Sequence, residues 1–117
     1  MRHNITQPDI QAIIRQALAD WEVGKFSNEF YAKLVERDIS DIQVERALRS
    51  RSSGICRYQH RGQPRYGFWH PTSKLFIVWR PAEKGYESEY KTCFYVRSGM
   101  VYMRGLENVE ILRFPRE

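Results

Sequence analysis

The hydrophobic period of this chain changes once, near Ser52, Ser53 and Gly54, and that single change limits the folds open to it. Before it, apolar residues recur at helical spacing. After it, runs of β-branched and aromatic residues are interrupted by turn residues every several positions. A helical block followed by strands joined through short turns disfavours a parallel sheet, which needs crossover helices, and points to α+β. The expected architecture is about three N-terminal helices packed on one face of an antiparallel meander of roughly four to six strands. The length of 117 residues suits a single domain, with residues 1–53 helical and 54–117 forming the sheet.

The helical half is clearly punctuated. Thr6 and Asp9 resemble a capping box, after which Ile10, Ile13, Ile14, Ala17, Leu18 and Trp21 form one apolar stripe that stops near Gly24. Ser27 suits the cap of a second helix striped by Phe30, Tyr31, Leu34 and Val35, with Phe26 packing back on it and an end near Asp38. Ser40 and Gln43 form another S-x-x-Q box, followed by inward Val44, Ala47 and Leu48 and outward Arg46 and Arg49. The expected strands are residues 55–59, 65–69, 75–80, 91–97, 101–104 and 109–114, with turns at 61–64, 71–73 and 98–99. Residues 81–90 form the longest polar interruption and suit a flap beside the sheet. Helices on one side of the sheet would leave the other side free for a ligand or partner.

Charge is divided unevenly between the halves. Residues 1–50 hold 7 Lys+Arg against 8 Asp+Glu, and residues 51–117 hold 12 against 6. An excess gathered on the sheet points to an anionic partner, with nucleic acid the first candidate and a solvated basic surface the plain alternative. No apolar run is long enough to span a bilayer, and the N-terminus lacks a secretory pattern, so a soluble cytoplasmic protein is expected. Cys56 and Cys93 fall in strands without C-x-x-C spacing, which favours buried free thiols over a zinc site, and no residue pattern calls for a cofactor.

The chemistry available to such a sheet is phosphate chemistry. Metal-independent RNA cleavage uses the substrate's own 2′-hydroxyl as nucleophile, so the protein need supply only a proton acceptor, a proton donor and cations. His70, Arg80, Lys91 and Thr92 are the candidate catalytic residues, with the acceptor left open among His60, His70, Glu87 and Glu89. If residues 75–80 pair antiparallel with the strand after the flap, Arg80 and Lys91 share one end of the sheet as a phosphate clamp, and His70 falls toward the other end. Candidate nucleic-acid contacts are Arg57, Tyr58, His60, Arg61, Arg65, Tyr66 and Lys74, with Tyr58 or Tyr66 able to stack on an unpaired base. Each has a structural alternative: His70 before Pro71 as a turn residue, Thr92 as a strand former, the tyrosines as core.

Two segments carry a family resemblance. F-S-N-E-F-Y-A-K-L-V-E-R-D-I-S-D-I-Q-V-E-R-A-L at residues 26–48 resembles the helical part of small domains related to RelE-type toxins. G-F-W-H-P-T-S-K-L-F-I-V-W-R-P with Y-K-T-C-F is similar to the core of the barnase, EndoU, colicin and RelE toxin nucleases. The resemblance implies a metal-independent endoribonuclease acting on RNA or the ribosome, with Arg80, Lys91 and Thr92 on its central strands, His70 as a proton-transfer group, and an acidic antitoxin-like protein as partner. Phe30 or Tyr31 stands where related helices often begin with His, and the helix expected over residues 6–21 is an addition to the minimal toxin fold. A non-catalytic module binding nucleic acid or protein through the same sheet is the alternative.

Overall fold

The computed structural model describes residues 9–113, and their first three helices begin where a side-chain oxygen can take up free backbone N–H groups. Helix α1 (Ile10–Val23) starts at Asp9, whose carboxylate accepts from Gln11 N at 3.0 Å and Ala12 N at 3.3 Å, and stops at Gly24 in the left-handed region. Thr6, the other half of the expected box, lies outside the described residues. Helix α2 (Asn28–Glu36) is capped by Ser27 Oγ, and the Phe26 ring packs 5.1 Å from that of Phe30. Helix α3 (Asp41–Arg49) has the full capping box, Ser40 Oγ accepting from Gln43 N and Gln43 Oε1 from Ser40 N.

Strands β1 (Gly54–His60), β2 (Gln63–His70), β3 (Leu75–Arg80) and β4 (Glu89–Tyr95) follow as an antiparallel meander. The first turn is only Arg61 and Gly62, both at positive φ, the hand that lets a two-residue hairpin follow the strand twist. Pro64, expected in that turn, already belongs to β2.

Beyond β4 the chain departs from the expected meander. Residues 101–104, expected as a strand, lie in the short helix α4 (Gly99–Arg104), and residues 98–99 lead into it instead of turning a hairpin. The V-Y-M run has strand propensity, but Met103 is fully buried against the sheet and Gly99 lies under Trp69, so packing outweighs local preference. The chain thereby reaches the far edge, where β5 (Glu110–Arg113) pairs antiparallel with β1, giving the order β4-β3-β2-β1-β5. Phe114, the last residue of the expected final strand, lies outside the described residues.

Strand register fixes which side chains share a face. Ile55, Phe68, Ile77 and Cys93 align on the side covered by α1–α3, and Cys56, Gly67, Val78 and Thr92 on the other. On the helix side, buried Trp79 donates its indole N–H to Asp20 Oδ2 at 2.8 Å, and the buried Tyr90 hydroxyl donates to the Ala17 carbonyl. Leaving such a donor unpaired would cost about 1–3 kcal/mol. The other side is not bare, as a plain meander would have left it: the Tyr102 ring lies 5.0 Å from that of Phe76 and 5.6 Å from that of Phe94. The expected free face is therefore only the part of that side toward Arg80 and His60.

Cys56 and Cys93 are buried free thiols on opposite sides of the sheet. Burial pushes them up to about 12 and about 11, so both stay protonated at neutral pH. No helix among the described residues is long and apolar enough to cross a membrane.

The docking of α4 is directly testable. A Cβ at Gly99 would run into the Trp69 indole, whereas one at Gly105 meets nothing nearer than the Tyr102 carbonyl at 3.6 Å. Urea denaturation is expected to show Gly99→Ala destabilised by about 1–3 kcal/mol and Gly105→Ala close to wild type.

Candidate nucleic-acid interface

The alternation of β3 decides where its cation goes. Ile77 and Trp79 face the helices, so Val78 and Arg80 face the opposite side. Arg80 pairs across the sheet with Glu89 of β4, and Tyr58 of β1 pairs with Arg65 of β2. The β2–β3 register, with Tyr66 opposite Trp79, brings Arg65 alongside Arg80 one step further on. Tyr58, Arg65, Arg80 and Glu89 therefore form one row across the sheet on the side away from α1–α3.

A bulge adds Lys91 to that row. Val78 pairs with Thr92 but Trp79 pairs with Tyr90, so β4 carries one extra residue, Lys91, at the break in register. Such a bulge re-aims the inserted side chain, and here Lys91 Nζ reaches Glu89 Oε2 at 2.8 Å. The same carboxylate oxygen lies 3.5 Å from Arg80 Nη2, while Arg80 Nη2 also donates to the Glu87 carbonyl at 2.8 Å. The Tyr86 ring lies 4.2 Å from the centre of the Arg80 guanidinium. Arg65 and Arg80 each keep an Nε–H out of water with no acceptor in reach.

His60 ends β1 at the same end of the sheet. Partial desolvation and then the charges of Arg65 and Arg61, with a smaller contribution from Lys91, hold its pKa below the ordinary 6.5. It is therefore mostly neutral at pH 7. The exposed Arg61 sits in the adjoining turn. Tyr58 forms the buried floor between these groups and α4, and burial raises its pKa, so it offers no free ring for a base.

The remaining expected site residues lie elsewhere. His70 pairs with Leu75 at the other end of β3, about 17 Å of strand from Arg80, and on the helix side of the sheet. It belongs to no site with Arg80, Lys91 and Thr92. Its Nδ1 lies 3.1 Å from Ser73 Oγ, which also accepts from Leu75 N, so His70 organises the β2–β3 turn. Lys74 in that turn places its ammonium 5.5 Å from the centre of the Trp69 ring. Arg57 and Tyr66 face the helix side: Arg57 is paired with Glu110, and the Tyr66 ring packs 5.7 Å from Trp79.

Sequence spacing alone did not single out Glu89 or Tyr86. Glu89 stood as one of four possible proton acceptors, and only the register with Arg80 separates it from Glu87. Among the described residues, no three His, Cys, Asp or Glu side chains gather as a metal-binding group.

His70 supplies a test of its structural role. Burial, and then the charge of Arg46, lower its pKa in the folded chain, so below about 6.5 the unfolded chain binds the proton more readily. Stability from this group falls with pH through the interval between its ordinary and its lowered value. His70→Gln is expected to lose less stability than wild type between pH 7 and pH 5 in urea titrations, and equal pH dependence would contradict that placement.

Comparison with family models, with curated proteins and with solved structures gives no match to this chain.

Proposed function

We propose that this protein binds the phosphate backbone of RNA across the helix-free part of its sheet. The observation that carries the reading is the gathering of Arg65, Arg80 and Lys91 on one face, with Thr92 beside them and His60 and Arg61 at the adjoining turn. Guanidinium forks and a lysine ammonium suit phosphate oxygens, and their charge draws a polyanion to this side. The uneven charge of the chain supports the reading, since the basic excess belongs to residues 51–117. The choice of RNA follows the resemblance of residues 67–81 and 90–94 to toxin nucleases.

Binding is read out by anisotropy of a labelled single-stranded RNA at several salt concentrations. Arg80→Ala and Lys91→Ala are each expected to weaken binding on the order of tenfold or more, as loss of a charge-assisted hydrogen bond does. Each is also expected to reduce the slope of log affinity against log salt by about 0.7. His70→Gln is expected to bind like wild type. Equal affinity of wild type and the Arg80→Ala, Lys91→Ala double variant would refute the reading.

A second reading, metal-independent RNA cleavage, is favoured by one further observation. Glu89 holds a carboxylate between two cations, where a proton acceptor beside a bound phosphate would stand. Glu89 would take the 2′-hydroxyl proton as that oxygen bonds to phosphorus, Arg80 and Lys91 would stabilise the added charge, and a water molecule would give a proton to the departing 5′-oxygen. The products would be a 2′,3′-cyclic phosphate and a 5′-hydroxyl. Fragments from wild type in EDTA, absent with Glu89→Gln, would establish this chemistry. Intact RNA that stays bound would leave binding alone.

A further inference from the structure

Arg80 and Lys91 already hold an anion in the free protein, and it belongs to the chain itself. Glu89 Oε2 lies 2.8 Å from Lys91 Nζ and 3.5 Å from Arg80 Nη2, the position that one phosphate oxygen would take between an arginine and a lysine. The three side chains are partly open to solvent, at 12% for Arg80, 21% for Lys91 and 29% for Glu89, so another anion can reach them without dismantling the core. Exchanging a carboxylate for a phosphate leaves neither cation uncompensated, which avoids the heavy cost of breaking one partner out of a partly buried pair.

The loop before β4 closes over the same place. The Tyr86 ring packs on the Arg80 guanidinium, and the Glu87 carbonyl takes its Nη2–H at 2.8 Å. This loop is tied weakly to the body: Glu83 and Tyr86 bond each other across a local turn at Gly85, and Glu87 reaches Lys25 at 3.6 Å in a solvent-exposed ion pair. An exposed pair of that kind contributes about 0–1 kcal/mol.

We infer that the point now held by Glu89 Oε2 is the seat of one phosphate group of bound RNA, and that Glu89 with the Tyr86 loop is the internal ligand which that phosphate displaces. The inference rests on the RNA-binding reading given above. Glu89 therefore acts as a competitor that sets affinity, with Tyr86 holding Arg80 in the occupied arrangement. Displacement frees the guanidinium, whose Nε–H lacks an acceptor in the closed form, to take a new partner.

The test measures affinity for a short fluorescein-labelled oligouridylate by anisotropy, in wild type and four variants. Glu89→Gln and Glu89→Asp are both expected to tighten binding about tenfold. The first removes the competing charge, and the second withdraws it from the seat while keeping it in the protein. Glu87→Gln, which changes a nearby acid whose side chain faces Lys25, is expected to stay within about twofold of wild type. Tyr86→Ala, which alters no charge and no strand residue, is expected to tighten binding several-fold, and it carries the test if the Glu89 variants fold poorly. Tightening by Glu89→Gln and Glu87→Gln alike, with Glu89→Asp unchanged, would mean simple charge repulsion and would overturn the inference. Weaker binding by Glu89→Asp or Tyr86→Ala would overturn it as well. Wild-type protein that does not bind the RNA would remove the binding reading, and the inference with it.

Discussion

The hydrogen bond from the Trp79 indole to Asp20 fixes the phase of β3, and the side on which Arg80 stands follows from it. Trp79 is almost fully buried beneath α1, so its side cannot change without losing both the ring's packing and its donor's partner. A slip of one residue along β3 would turn every side chain to the opposite face. Arg80, next in sequence, must then stand on the side away from the helices. Tyr90 repeats the device on β4 through the Ala17 carbonyl, which places the inserted residue Lys91 immediately before Thr92 at the register break.

The register break is what converts two edge residues into part of one site. Without the extra residue, simple alternation would send Lys91 and Thr92 to opposite faces. With it, Lys91 reaches Glu89 and contributes its charge at His60, so the strand end carries its polar groups toward one side. Bulges of this kind re-aim side chains beside functional sites, and here the bulge sits on the edge strand β4, beside the loop that covers Arg80. Helix α4 covers the neighbouring aromatic rows, which confines the polar row to the sheet's other end.

Much of this was legible from residue types. The caps at Ser27 and at Ser40 with Gln43 marked two helix starts, because a side-chain oxygen at those positions satisfies free N–H groups of the first turn. The strand from Leu75 to Arg80 was legible to its ends, bounded by a turn on one side and Pro81 on the other. Residues 101–104 were not, because a six-residue helix has little intrinsic stability and exists here through Met103 and Gly99 packing on the sheet. For the site, the shared end of Arg80 and Lys91 followed from antiparallel pairing, whereas the faces did not. Arg57 and Tyr66 alternate away from Arg65 by one residue, and no local signal reveals which face the helices take. The same pairing put His70 toward the other end, where the structure has it, whereas its position on the helix side was not legible.

The most direct measurement is an amide and side-chain NMR titration of isotopically labelled protein with a short single-stranded RNA. The result that the proposed RNA-binding reading predicts is a set of perturbed signals confined to His60, Arg61, Arg65, Arg80, Glu89, Lys91 and Thr92, with the Tyr86 loop shifting alongside them and the signals of α1 and His70 still. Perturbations centred on the helical side, or on the turn that holds His70 and Lys74, would contradict an RNA-binding face opposite the helices.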